Sequence, residues 1–80
     1  MENKVHTAHI VIDSRTYESP EITTGDALYH LGQIKSDFDL FKEIKGRGDD
    51  ELVHNNGDQV AIRNGDVFYS AKHTLNPGAQ

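Results

Sequence analysis

Polar and apolar residues alternate near the start of the chain. Within an apolar segment at residues 5–13, Ala8, Ile10 and Ile12 are separated by His9 and Val11. A period of two puts every second side chain on one face, so this segment predicts a half-buried strand. Asp13-Ser14 predicts a turn, because both side chains can bond nearby backbone groups. Arg15-Thr16-Tyr17-Glu18 then predicts the return strand of a hairpin, with Pro20 expected to stop the pairing. The period changes after that. Thr23 or Thr24 offers an N-cap oxygen, and Asp26 suits the first turn, where the helix dipole favours negative charge. Ala27, Leu28, Leu31 and Ile34 fall at helical spacing. Gly32 lies inside the window and costs about 1 kcal/mol of helix propensity. The expected helix is therefore short, ending near residues 33–35.

The second half predicts short strands. Phe38, Leu40, Phe41 and Ile44 make a third strand, whose pattern leaves open whether Leu40 or Phe41 faces the core. Gly46-Arg47-Gly48-Asp49-Asp50 reads as a flexible acidic loop. Leu52-Val53, Val60-Ala61-Ile62 and residues 67–71 read as strands, separated by turn signals at Asn56-Gly57 and Asn64-Gly65. Residues 72–80 are polar, carry Pro77-Gly78, and are expected to form a mobile tail after a domain at residues 1–71. A hairpin, one helix and several strands give an α+β class, with one sheet face on the helix and the other wet. The expected core is Ile10, Ile12, Ile22, Leu28, Leu31, Ile44, Val60, Ile62 and Phe68.

Composition narrows the functional classes. The 80 residues include 13 acidic and 8 basic side chains, for a formal charge of -5. That balance argues against nucleic acid, which is bound by clustered Lys and Arg, and against a membrane surface. Cysteine is absent, which removes disulfides, thiolate zinc and thiol catalysis together. No run approaches the roughly 20 apolar residues that span a bilayer, and residues 1–9 resemble no signal peptide. A cytoplasmic location is the expectation.

Candidate chemistry is sparse. His6 and His9 would share a face of a helix but not of a strand. His30, His54 and His73 belong to separate elements, so solvated histidines are favoured over a metal site. Asp37-Phe38-Asp39 and Asp49-Asp50-Glu51 lack the ligand spacing of a calcium loop. Gly46-Arg47-Gly48 lacks the GK[ST] ending of a phosphate cradle. Ser14, Ser19, Ser36 and Ser70 have no nucleophile context. Neither metal nor cofactor is expected, nor is catalysis by this chain. The sheet face opposite the helix is the expected docking surface, carried by Val11, Phe41 and whichever of Phe68 and Tyr69 points outward, with Tyr69 preferred.

The ordered pieces Ile10-Val11-Ile12-Asp13, Tyr17, Ile22-Thr23-Thr24-Gly25, Leu28 and Leu31-Gly32 resemble the bacterial multiubiquitin-type ubiquitin-like proteins. So do Leu40-Phe41-Lys42-Glu43-Ile44, Asp49-Asp50-Glu51 and the run from Val60 to Phe68. The likeness covers residues 5–71 and implies a ubiquitin-like β-grasp, a mixed sheet of four to five strands on one helix with the first and last strands side by side. It also implies a protein modifier, processed and then joined to targets through a terminal glycine. Glycine suits that chemistry because its backbone can thread a narrow channel. The diglycine of eukaryotic ubiquitin and of sulfur carriers is missing. Gly78 is the glycine available for conjugation, once Ala79 and Gln80 are removed. Leu75, Asn76 and Pro77 would be read during processing and activation. The implied partners are an activating enzyme, a conjugating enzyme, a processing peptidase and protein targets. The alternative is a non-covalent β-grasp adaptor with an inert tail.

Overall fold

The computed structural model describes residues 6–46 and 48–72. Strands β1 (Thr7–Ile12) and β2 (Arg15–Pro20) form a hairpin closed by Asp13 and Ser14. Both turn residues have positive φ, 52° and 70°, the mirror-image turn that matches the twist of the flanking strands. Asp13 also ties the hairpin to the last strand. Its carboxylate accepts from Ser70 N at 2.8 Å and from Ser70 Oγ at 2.6 Å. Pairing runs on to Pro20, opposite Thr7, which corrects the expectation that Pro20 stops it. β2 lies at the sheet edge, where proline's missing N–H is tolerated.

A short strand that the pattern does not predict, β3 (Ile22–Thr24), leads into helix α1 (Gly25–Leu31). Thr24 is the N-cap, its Oγ1 accepting from Ala27 N at 3.3 Å. The helix stops at Leu31, earlier than expected. Gly32 is the C-cap; Gln33 N donates to His30 O and Ile34 N to Tyr29 O, with Gln33 at φ 56°. Those two bonds form a Schellman motif, which satisfies the last carbonyls of the helix. Gly32 is required for space: a Cβ there would lie 2.8 Å from Ile12 Cγ2.

Strands β4 (Phe38–Lys42), β5 (Glu51–Val53), β6 (Gln59–Ala61) and β7 (Val67–Lys72) complete the elements. The main sheet has the order β2-β1-β7-β4-β5, and β3 pairs with β6 in a separate ribbon. β1 and β7 are parallel at its centre; the other pairs are antiparallel. The turn at residues 63–66 lengthens the central pairing, with Val11 N donating to Asp66 O and Gly65 N to His9 O. A five-stranded mixed sheet with its first and last strands adjacent and one helix against it is an α+β, ubiquitin-like β-grasp architecture.

Helix and sheet meet over Ala8, Ile10, Ile12, Leu28, Leu40, Ile62 and Phe68, with Tyr29 and Val53. Leu31 and Val60 pack at the margin of this core, and Ile44 is half-buried. Ile22 is a correction: it is 57% exposed. It lies in the β3–β6 ribbon opposite Ala61, itself exposed. Leu40 faces the core, so Phe41 takes the other face.

Tyr29 joins the helix to two strands. Its hydroxyl donates to Val53 O at 2.7 Å and accepts from Leu40 N at 2.9 Å. Tyr29→Phe removes that bridge from a site where water has little access. Because orphaning a buried polar group costs roughly 1–3 kcal/mol, a loss of about 2 kcal/mol is expected. Urea unfolding with an unchanged slope would measure it; a midpoint equal to that of the parent would contradict the bridging role.

Candidate functional site

The sheet face away from α1 follows from strand alternation. On β1, Ala8, Ile10 and Ile12 point into the core, so Val11 points away. On β7, Phe68 is fully buried, so Val67 and Tyr69 point away. Register aligns these outward positions: Val11 lies opposite Val67, Tyr69 opposite Phe41, and Phe41 opposite Leu52. The expected trio of Val11, Phe41 and Tyr69 is thus brought onto one face. Leu52 and Val67 join it, and Leu52 is 44% exposed. No described element forms a second layer there.

An aromatic pair sits at the centre. The Phe41 and Tyr69 rings stack at 5.5 Å between centroids, 16° from parallel. Tyr69 is held from its far end: its hydroxyl donates to Asp50 Oδ2 at 2.5 Å. The other carboxylate oxygen of Asp50 accepts from Ile44 N at 2.9 Å. One acidic side chain therefore links the end of the β4 segment, the approach to β5 and the ring on β7. The Asp49-Asp50-Glu51 run reads as solvated charge in sequence. Asp50 is instead a structural acceptor, and only its long-range partners reveal that role.

These contacts set the titration of both groups. The Tyr69 hydroxyl, then the Ile44 N–H, hold the Asp50 carboxyl below its ordinary value of 3.8. The hydrogen bond to Asp50 raises the Tyr69 phenol above 10.0, followed by desolvation and the negative charges of Asp50 and Glu43. A depressed carboxyl stabilises the fold above its unfolded pKa, and that contribution is lost as pH falls through the lower folded value. A raised phenol contributes below its unfolded pKa, and that contribution is lost as pH rises through the folded value. In Asp50→Asn the Tyr69 midpoint, followed by carbon NMR, should fall back toward 10.0. An unchanged midpoint would mean that Asp50 does not hold the ring.

The other expected site residues, Leu75, Asn76, Pro77, Gly78, Ala79 and Gln80, lie outside the described residues. Among the described residues, no group of three or more His, Cys, Asp or Glu side chains converges as a metal site. No helix there is long and apolar enough to cross a membrane. Sequence reasoning missed Leu52 and Val67 as members of the face. For Leu52, the three-residue β5 gives too few positions for alternation to show; for Val67, the first residue of β7, the face is fixed by its pairing with Val11. No family model, curated protein or solved structure matches the chain.

Proposed function

We propose that this chain is a ubiquitin-like modifier, recognised through its open sheet face and joined to protein targets through Gly78. The sheet order supports this reading, because β7 lies at the centre of the sheet and Gly78 follows Lys72 by six positions in the sequence. A peptidase cleaves after Gly78 and frees its carboxylate. In the activating enzyme that carboxylate attacks the α-phosphorus of ATP, releasing pyrophosphate. An enzyme thiol then displaces AMP, and the acyl group passes through a conjugating enzyme to a nucleophile on the target. Pro77 restricts the backbone just before the reacting residue. Leu75 and Asn76 supply side chains for the enzymes to read.

A second reading, a non-covalent adaptor, is favoured by one observation: the aromatic face is complete within residues 6–72 and needs nothing beyond them. Adding ATP and an N-terminally tagged chain ending at Gly78 to a lysate of the source cells separates the two. A modifier gives ATP-dependent tagged adducts that survive denaturation. An adaptor gives none, while its partners co-purify under native conditions.

A further inference from the structure

The tripeptide Asn-Gly-Asp occurs twice, at residues 56–58 and 64–66. Asparagine is thermolabile, and a following glycine opens it to attack from its own backbone. The glycine nitrogen can reach the side-chain carbonyl carbon, with no side chain of its own in the way. Both asparagines and both glycines are exposed. Local sequence and solvent access are therefore matched, and the hydrogen bonds are what differ.

Asn64-Gly65 is pinned to the sheet. Asn64 Oδ1 accepts from His9 N at 2.7 Å, and Gly65 N donates to His9 O at 2.9 Å. One residue of β1 thus holds both the amide to be attacked and the nitrogen that would attack it. Asp66 N donates to Arg63 O and closes the turn, with Gly65 at φ 90°. At Asn56-Gly57 the side-chain oxygen accepts from Asp58 N at 2.9 Å, a bond within the tripeptide itself. Among the described residues, no acceptor holds Gly57 N.

We propose that Asn56 deamidates spontaneously in the folded protein, and that β1 shields Asn64 from the same reaction. Solvent hydroxide removes the Gly57 N–H proton. Gly57 N then bonds to Asn56 Cγ, the Cγ–Nδ2 bond breaks, and the leaving nitrogen takes a proton from water to depart as ammonia. Asp58 N–H donates to the oxygen on which negative charge develops. Water opens the resulting cyclic imide. Opening at Cγ gives an aspartate; opening at the main-chain carbonyl gives an isoaspartyl linkage, with the chain running through Cγ and one atom longer.

That longer linkage falls in the loop that holds the helix start. Asn56 O accepts from Asp26 N, and Asp58 O accepts from Gly25 N. An extra backbone atom between these two carbonyls spoils their register with α1. The reaction is independent of Gly78 and of the open sheet face. It limits how long a folded copy keeps its helix clamp.

The test incubates the full chain in warm, mildly alkaline buffer and maps its peptides by mass spectrometry. Conversion at Asn56 should run about tenfold or more ahead of Asn64, because the His9 bonds must open before Asn64 reacts. In urea strong enough to unfold the chain, the two rates should differ by less than about threefold, since the tripeptides are the same. Gly57→Ala puts its Cβ in open space and should keep the urea midpoint. It should slow conversion at Asn56 about tenfold or more, because a side chain obstructs the nitrogen. No conversion at Asn56, equal rates in the folded protein, or a gap that persists in urea would each overturn the assignment. The isoaspartyl form, separated by chromatography, should unfold at lower urea than Asn56→Asp, which carries the same charge on an unaltered backbone. Matching midpoints would overturn the effect on the helix start.

Discussion

Gly25→Ala is expected to remove about 4 kcal/mol of folding stability, summed from overpacking of up to about 3 and two lost backbone bonds of about 0.5–1.5 each. Gly25 is buried where α1 begins. A Cβ there would lie 1.8 Å from the His54 carbonyl oxygen. That obstacle is backbone, so no side-chain rotation relieves it. The segment after β5 is also bonded to the helix start. Gly25 N donates to Asp58 O at 3.1 Å, and Asp26 N to Asn56 O at 2.8 Å. Making room for a methyl group breaks those bonds and leaves N–H groups at the helix start unsatisfied. A domain of this size has roughly 0.05–0.15 kcal/mol of stability per residue, so the loss is a large part of the whole. A fall in the urea midpoint would measure it. A midpoint within experimental error of the parent would show that the loop at residues 54–58 does not clamp the helix.

Gly78→Val should leave the fold intact and abolish conjugation. The buried core lies between Ala8 and Phe68, so thermal stability should match the parent. The chemistry demands more of this position. In the proposed modifier, a β-branched side chain would widen the chain where an activating enzyme has to enclose it closely. It would also displace the carboxylate from the line of attack on ATP that the proposal requires. Misplacement of about 1 Å costs on the order of 100-fold in rate. Adduct yield should therefore fall by about that factor or more. Full adduct yield from the variant would show that the acyl group comes from another residue.

The parts of the fold that could be read in the sequence are those where one period dominates. β1 was legible because Ala8, Ile10 and Ile12 share a face without interruption, and α1 because Thr24, Asp26, Leu28 and Leu31 combine a cap with helical spacing. β3 was not, because three residues between a proline-ended strand and an N-cap cannot show a period. Ile22 was misplaced for the same reason. Hydrophobicity alone put it in the core, and its ribbon turns it outward. Residues 38–44 satisfy neither period, since Leu40 and Phe41 are adjacent. Two distant contacts settle them: Leu40 N meets the Tyr29 hydroxyl, and Phe41 stacks on Tyr69. Gly32 read as a propensity cost, and the approach of Ile12 explains it. The candidate face was legible as Val11, Phe41 and Tyr69. The part played by Asp50 was not, because it depends on contacts that cross from its loop to Ile44 and to Tyr69.

The intact mass of the N-terminally tagged protein recovered from its own cells separates a conjugated modifier from an adaptor. A modifier is expected as a free form whose last residue is Gly78, lighter by Ala79, Gln80 and anything that follows them. Heavier species that carry the tagged chain joined through that glycine are expected beside it. A single unprocessed mass retaining Ala79 and Gln80, with no heavier species, would contradict the modifier reading and leave the open sheet face as the working part of the molecule.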